Sequence, residues 1–264
     1  MSSSAIEQLA KNANWGSIAK ATELKQRILF VLGALLVYRF GTYVPIPGID
    51  PHAWGAFFDQ RGGGILDMFN IFAGGALQRM TIFTLGILPY ISASIIMQLA
   101  TAMFPNLEKL KKEGESGRMK INQYTRYLTV LLCAVQGYGV AVGMESATSQ
   151  AGPIVPEPGM FFRISTVITL VGGTVFLMWL GEQITARGIG NGISLIIFAG
   201  IVAGLPGALA GTLELGRQGQ YNFLQLLFLF VMIIATIAFI VFMERAQRRV
   251  VVQYPKRQVG NKMY

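Results

Sequence analysis

The sequence predicts an all-α fold, a polytopic bundle of transmembrane helices, from its composition and from the spacing of its apolar stretches. Of the 264 residues, 53% are hydrophobic and 13% are charged, whereas soluble domains average about 45–50% and about 25%. Charges and prolines separate six apolar stretches, at residues 28–44, 80–104, 127–144, 159–181, 188–205 and 222–243. Because a helix crosses a hydrocarbon core of about 30 Å with about 20 residues, we predict six crossings.

The first stretch, residues 28–44, is the weakest of the six because Arg39 interrupts it. It runs into the prolines of residues 45–48 without the small-residue cleavage site of a secretory signal peptide. We therefore predict that it is retained as a signal anchor.

A short apolar segment, residues 65–73, lies between the first two predicted spans. As a helix it would measure about 14 Å, which is less than half of a bilayer. Glycines flank it on both sides, at residues 62–64 and 74–75, and allow the backbone to bend sharply. Two alternatives follow: a re-entrant half-helix sheltered inside the protein, or an amphipathic helix on the outer membrane surface.

Isoleucines recur on one face of the second predicted span and again on the fifth. Their four-residue spacing puts them on one helical face with polar and small residues; they are Ile87, Ile91 and Ile95 in one span and Ile193, Ile197 and Ile201 in the other. This pattern is typical of helix packing, and it also fits a narrow isoleucine ring that excludes water and ions. Pro89, between two of the isoleucines, predicts a kink in the second span.

Lysine and arginine predict the orientation, because they remain preferentially on the cytoplasmic side. Seventeen of the 22 lie in the amino-terminal segment, the 105–126 loop, the 182–187 turn and the carboxyl-terminal tail. The alternate side has five, so we predict that both termini are cytoplasmic. The excess charge of the tail would also suit anionic lipid, RNA phosphate or an acidic protein surface.

The residues that catalysis, metal binding or ion coupling require are missing from the sequence. It contains no Walker A motif, and His52 and Cys133 are its only histidine and cysteine, so we expect no catalytic residue, no metal site and no cofactor. Arg163 and Glu182 lie at the ends of their span, as snorkelling residues do. Arg39 is the only deeper charge, which disfavours an ion-coupled solute transporter or an intramembrane enzyme.

Five long strings closely resemble the bacterial SecY family, the channel subunits of the Sec protein translocon. They are residues 43–50 (YVPIPGID), 67–76 (DMFNIFAGGA), 85–98 (LGILPYISASIIMQ), 111–118 (KKEGESGR) and 178–194 (MWLGEQITARGIGNGIS). The similarity extends over nearly the whole chain from about residue 23.

The resemblance implies an inverted-repeat channel of ten spans, of which this sequence holds the first half and the sixth span. The implied division is a cytoplasmic segment at 1–27, a five-helix half at 28–205 with a plug at 64–74, an outer loop and sixth helix at 206–243, and the start of a basic cytoplasmic loop at 244–264. Without spans seven to ten, we expect this part alone not to form a working channel.

The resemblance also assigns roles to individual residues. The pore ring would be Ile87, Ile91 and Ile197, and the lateral gate would include Ser92, Ile95 and Gln98. The plug would include Ile65, Leu66, Met68, Phe69, Ile71, Phe72 and Gly74. The ribosome or motor would dock on Arg248, Arg249, Lys256, Arg257 and Lys262.

The partners that the resemblance implies are the SecE and SecG subunits, the SecA motor ATPase and the ribosome, including its RNA. Signal peptides and nascent chains would be the substrates, with anionic lipids around the channel and further contact with SecDF and YidC. The implied location is the bacterial cytoplasmic (inner) membrane.

Overall fold

The predicted all-α fold is confirmed by a computed structural model that describes residues 22–61, 64–149, 152–219, 222–247, 258–259 and 262–263. The helices are α1 (Thr22–Gly41), α2 (Pro51–Arg61), α3 (Ile65–Phe72), α4 (Leu88–Met103), α5 (Pro105–Lys112), α6 (Glu115–Ser146), α7 (Met160–Arg187), α8 (Gly192–Arg217) and α9 (Phe223–Arg245). Two antiparallel pairs of two-residue strands accompany them, β1 (Thr148–Ser149) with β2 (Gly152–Pro153) and β3 (Gln258–Val259) with β4 (Lys262–Met263). The chain divides after Pro206 into two compact units.

Four helices of the described residues, α6, α7, α8 and α9, are long and apolar enough to cross a membrane. The pair α4 and α5, bent by 99° at Phe104, adds a fifth if it is counted as one span. Helix α1 has 20 residues, but it carries Lys25 and Arg27 near one end and Arg39 near the other. The crossing by α1, and with it the total of six, therefore stays a prediction.

Helices α6 and α7 pack closely along a row of small side chains. On α6 the buried residues Thr129, Cys133, Gly137 and Ala141 follow one another at intervals of four, which places them on one face. The Cys133 thiol lies 3.3 Å from Oγ1 of Thr174 and 3.5 Å from the carbonyl oxygen of Leu170. These small groups allow the two backbones to approach each other, as helices do in lipid.

Two ion pairs join α6 and α7, one toward each end. Arg126 donates to both carboxylate oxygens of Glu182, at 3.0 and 2.8 Å, and Arg163 donates to Glu145 at 2.8 Å. The charges of Arg163 and Glu182 lie near the helix ends, as the sequence predicted, but each is neutralised by a partner. The two ion-paired positions are 19 residues apart on each helix, or about 28 Å at 1.5 Å per residue.

Helix α4 begins eight residues later than the sequence predicted. Residues 80–87 form turns, with positive φ at Met80 (46°) and Gly86 (56°). Pro89 lies in the first turn of α4 with Ile87 as the preceding cap residue. The predicted kink is therefore wrong: a proline in the first turn has no intrahelical hydrogen bond to lose, so it starts the helix.

The segment that follows α1 contains a helix of its own and contacts the turns before α4. The Asp50 carboxylate accepts from the backbone N–H of His52 at 2.9 Å and so caps α2. Trp54 on α2 is buried and donates its ring N–H to the carbonyl of Leu77 at 2.9 Å. The chain between α1 and α3 therefore contains a helix fixed to the turns that precede α4.

Helix α8 begins later and ends later than predicted. The side chain of Asn191 accepts from the backbone N–H of Ile193 at 3.0 Å and caps the helix, so residues 188–191 are a turn. Beyond Pro206 the helix continues to Arg217, where the sequence predicted an outer loop. A proline at this position leaves the carbonyl of Val202 without its intrahelical donor.

Two adjacent glycines on α7 provide a matched test of the packing between α7 and the turns before α4. A Cβ at Gly173 would overlap the carbonyl oxygen of Ile82, whereas a Cβ at Gly172 would meet no atom within 4 Å. We expect Gly173→Ala to destabilise the protein by about 1–3 kcal/mol, the usual cost of overpacking. Gly172→Ala should be neutral or stabilising by up to about 1 kcal/mol. Unfolding in detergent checks both, and equal stabilities would contradict this packing.

Candidate functional site

An apolar cavity lies where α1, α3, α7 and α8 meet the turns before α4 and its first helical turn. Its volume is about 170 Å³. The lining residues are Tyr38, Phe69, Phe72, Ala73, Leu85, Gly86, Ile87, Leu88, Ile91, Leu177, Ile196 and Ile197. None of them is charged, and the one hydroxyl group, on Tyr38, lies 3.4 Å from the carbonyl oxygen of Ala73. The wall therefore offers water or a ligand almost no polar partner.

The cavity brings together the three isoleucines that the resemblance assigns to a pore ring. Ile87 and Ile91 come from the beginning of α4, and Ile197 comes from the second turn of α8. The proline start of α4 and the Asn191 cap of α8 place these helix beginnings at the cavity. Ile87 is 5% exposed, while the other two are half-buried.

The short apolar segment forms the eight-residue helix α3. Phe69 and Phe72 line the cavity, yet both are more than 40% exposed, as are Met68 and Ile71. The choice between a re-entrant segment and a helix on the membrane surface therefore stays a prediction. Ile65 and Leu66 belong to α3, but their side chains lie outside the described part of the structure.

The backbone just after α3 is in close contact with α1 and α8. Gly74 has a φ of 66°, and a Cβ there would lie 3.0 Å from Cα of Gly200 on α8. Arg39 of α1 donates to the carbonyl oxygen of Gly74 at 2.9 Å. The sequence did not identify Tyr38 and Gly200 as contacts of this turn. Two sequence features could have pointed to the turn: the isolated charge of Arg39 and the paired glycines after the short helix.

A row of aromatic rings supports the wall of the cavity. Tyr38 stacks on Phe83 with ring centroids 6.1 Å apart, and Phe83 stacks on Phe176 at 5.9 Å. Trp179 extends the row, with its ring centroid 5.8 Å from that of Phe176. The row joins α1, the turns before α4 and α7, and such rings stabilise their contacts beyond simple burial. The sequence analysis did not identify it.

The three residues assigned to a lateral gate lie away from the cavity. Ser92, Ile95 and Gln98 are all exposed on α4. Gln98 lines a separate, more polar depression together with Lys111 of α5 and Arg118 of α6. The structure therefore brings the three isoleucines and the short helix together, and it leaves the residues assigned to a gate exposed on α4, outside the cavity.

The residues assigned to docking fall almost entirely outside the described residues. Arg248, Arg249, Lys256 and Arg257 are not described. Lys262 belongs to the strand β4, and its side chain is not described either.

A family model described as SecY matches residues 81–264 of the chain. The protein translocase subunit SecY of Escherichia coli (strain K12) is 57% identical over 242 residues, which are 92% of this chain and 54% of that protein. The relatives of the same name from Buchnera aphidicola and Rickettsia bellii are 57% and 54% identical, and the matches cover 68% and 56% of their lengths. The chain thus spans about half the length of most of these relatives.

Two solved structures resemble the fold at 20% identity. One is described as Sec61 in the canine ribosome-channel complex from the endoplasmic reticulum; its TM-score is 0.58, with 87% of this chain and 50% of that chain covered. The other is described as the structure of a protein conducting channel; its TM-score is 0.51, with 75% and 43% covered. Both support the same arrangement of helices.

The burial of the cavity wall generates a stability prediction. We expect Ile87→Ala to cost about 2–5 kcal/mol, because a buried side chain is replaced by a cavity. Ile95→Ala removes the same atoms from a position on α4 that is 52% exposed, and we expect it to cost less than about 0.5 kcal/mol. Unfolding in detergent compares the two, and a larger loss for Ile95→Ala would show that the wall lies elsewhere.

Proposed function

The chain belongs to the SecY family, and from this premise we propose that the complete protein is a protein-conducting channel. It translocates unfolded preproteins across the bacterial cytoplasmic (inner) membrane and inserts membrane proteins into it. The observation that carries the proposal is the uncharged cavity in which Ile87, Ile91 and Ile197 lie together with Phe72 of the short helix.

An apolar constriction can hold back ions without a charged filter, because water and its ions leave a narrow hydrocarbon-lined space. In the proposed resting state, the isoleucines and the plug, residues 64–74, exclude water from this space. During transport, the isoleucines close around the moving chain. Backbone and side chains of many kinds then slide past a wall that offers them no strong binding partner.

The exposed face of α4 with Ser92, Ile95 and Gln98 is the proposed lateral gate. The opposite wall of the gate would come from spans in the part of SecY proteins that this chain does not match. Apolar segments of a nascent chain would leave sideways here, since lipid is the better solvent for them.

The remaining assignments are proposals of the same kind. The division at residues 28–205, 206–243 and 244–264 would separate the five-helix half, the sixth span and a basic cytoplasmic loop. Arg248, Arg249, Lys256, Arg257 and Lys262 would dock the SecA motor or the ribosome and its RNA. SecE, SecG, SecDF, YidC and anionic lipids would complete the surroundings, with the amino terminus in the cytoplasm. Energy would come from the motor or the ribosome, as the sequence has no nucleotide-binding motif.

The proposed seal predicts an ion leak when the ring is widened. Alanine at Ile87, Ile91 and Ile197 together, in the complete protein, should raise the resting ion conductance of proteoliposomes at least severalfold. Alanine at Ile96 and Ile201, which lie exposed on the same two helices, is the control and should change little. An unchanged leak in the ring variant would contradict a seal at this position.

The path of the substrate gives a second test. A photoreactive residue at Ile91 in the complete protein should capture a secretory chain arrested in mid-passage, and capture should depend on its signal sequence. Ile168, which is 66% exposed on α7, is the control position and should capture lipid instead. If Ile91 captures nothing while transport continues, the isoleucines serve helix packing and the path lies elsewhere.

A further inference from the structure

Contacts between its backbone and the helices α1 and α8 hold the carboxyl end of α3. The turn that ends the helix runs through Gly74 and Gly75, with φ of 66° and 82°, and the N–H of Gly75 donates to the carbonyl of Asn70 at 2.9 Å. Because positive φ favours glycine, this turn has a defined shape. It presents the carbonyl groups of Ala73 and Gly74 to α1.

Two consecutive residues of α1 contact these two carbonyls. The Tyr38 hydroxyl lies 3.4 Å from the oxygen of Ala73, and the Arg39 guanidinium lies 2.9 Å from the oxygen of Gly74. Tyr38 is 4% exposed. A hydrogen bond from a charged donor is about twice as strong as a neutral one, and a low-dielectric environment strengthens it further.

Helix α8 contacts the same turn from another side. A Cβ at Gly200 would lie 3.1 Å from the hydroxyl of Tyr38, 3.2 Å from the carbonyl oxygen of Phe72 and 3.3 Å from the nitrogen of Gly74. The turn therefore fits closely against Gly200, and a larger residue would push it away.

The amino end of α3 has no comparable contact among the described residues. Gly64 has a φ of 81°, and a Cβ there would meet no heavy atom within 4 Å. Met68, one turn into the helix, is 57% exposed. The contacts that fix the described part of the helix therefore lie at its carboxyl end.

We propose that Arg39 and Tyr38 are positioning residues that, together with Gly200, hold the carboxyl end of α3 against the cavity. The positioning role itself does not depend on the proposed channel function. Only its consequence, the seal of the resting channel, rests on that function.

The position of α3 is measured directly in the complete protein, free of substrate, by the distance between spin labels on cysteines at Met68 and Val202. Both positions are exposed. Arg39→Met should broaden the distance distribution, because the turn loses its charged donor. Arg39→Lys keeps a cationic donor and should restore much of the narrow distribution.

Arg79→Met is the matched control for the loss of a charge. Arg79 and Arg39 lie over the same ring, that of Tyr43, at 4.2 and 5.1 Å from its centroid. The control therefore removes a neighbouring guanidinium while the bond to Gly74 remains, and it should leave the distribution narrow. Equal broadening in Arg39→Met and Arg79→Met would overturn the assignment to Arg39.

A second pair of variants tests the contact from α8 without touching a charge. Gly200→Ala should broaden the distribution, whereas Gly204→Ala, one turn later and with no atom within 4 Å of its Cβ, should not. Both substitutions raise helix propensity, so a folding defect is not expected. An unchanged distribution in both Arg39→Met and Gly200→Ala would overturn the proposal.

Ion leak recorded on the same samples separates this inference from the channel function. If α3 loosens and the leak rises, the positioning role and the proposed seal are both supported. If α3 loosens and the leak stays low even in the ring variant, the positioning role stands and the proposed seal is wrong. If the ring variant leaks while Arg39→Met and Gly200→Ala leave α3 in place, the seal stands and the positioning role is wrong.

Discussion

The structure depends on one constraint of a lipid environment, which is that charged and hydrogen-bonding groups must find their partners inside the protein. Helices α6 and α7 meet it with ion pairs at both ends, Arg126 with Glu182 and Arg163 with Glu145. Between these pairs neither helix has a charged residue. The separation of about 28 Å between the two ion pairs matches a hydrocarbon core of about 30 Å. Helices α1 and α4 pack against the pair of helices that these ion pairs join.

The same constraint explains how an irregular segment can run between the helices. The turns before α4 pair with the chain that follows α1: Ile46 donates its N–H to Met80 at 3.0 Å, and Ile82 donates to Val44 at 3.0 Å. Non-helical backbone at membrane depth is tolerated only where protein satisfies and covers it. Because the segment is fixed in this way, Ile87 at its end takes a defined place in the cavity wall.

Much of this fold follows from local sequence. The apolar stretches predicted the long helices, the glycine-flanked segment predicted the short helix α3, and the charge pattern put Arg163 and Glu182 at the ends of a span. The late start of α4 did not follow, because a proline is compatible with a kink or with a first turn, and only the pairing of Ile82 with Val44 decides between them. The contact between Gly74 and Gly200 joins residues 126 positions apart, which no local pattern reveals. The ring assignment came from family resemblance, since the spacing alone is typical of helix packing.

Arg39 shows how a charge and an uncharged cavity coexist at close range. Its guanidinium donates to the carbonyl of Gly74 and to the Tyr43 hydroxyl at 3.1 Å, while its neighbour Tyr38 lines the cavity. Successive residues of a helix point in different directions, so Arg39 contacts the backbone of Gly74 while Tyr38 lines the cavity and contacts the carbonyl of Ala73. A transporter places such a charge where its substrate binds. Here the charge is engaged by the backbone of Gly74, so Arg39 can contribute to the proposed positioning of α3 without adding a charge to the cavity wall. Tyr38 takes part in both, through its contact with Ala73 and its place in the wall.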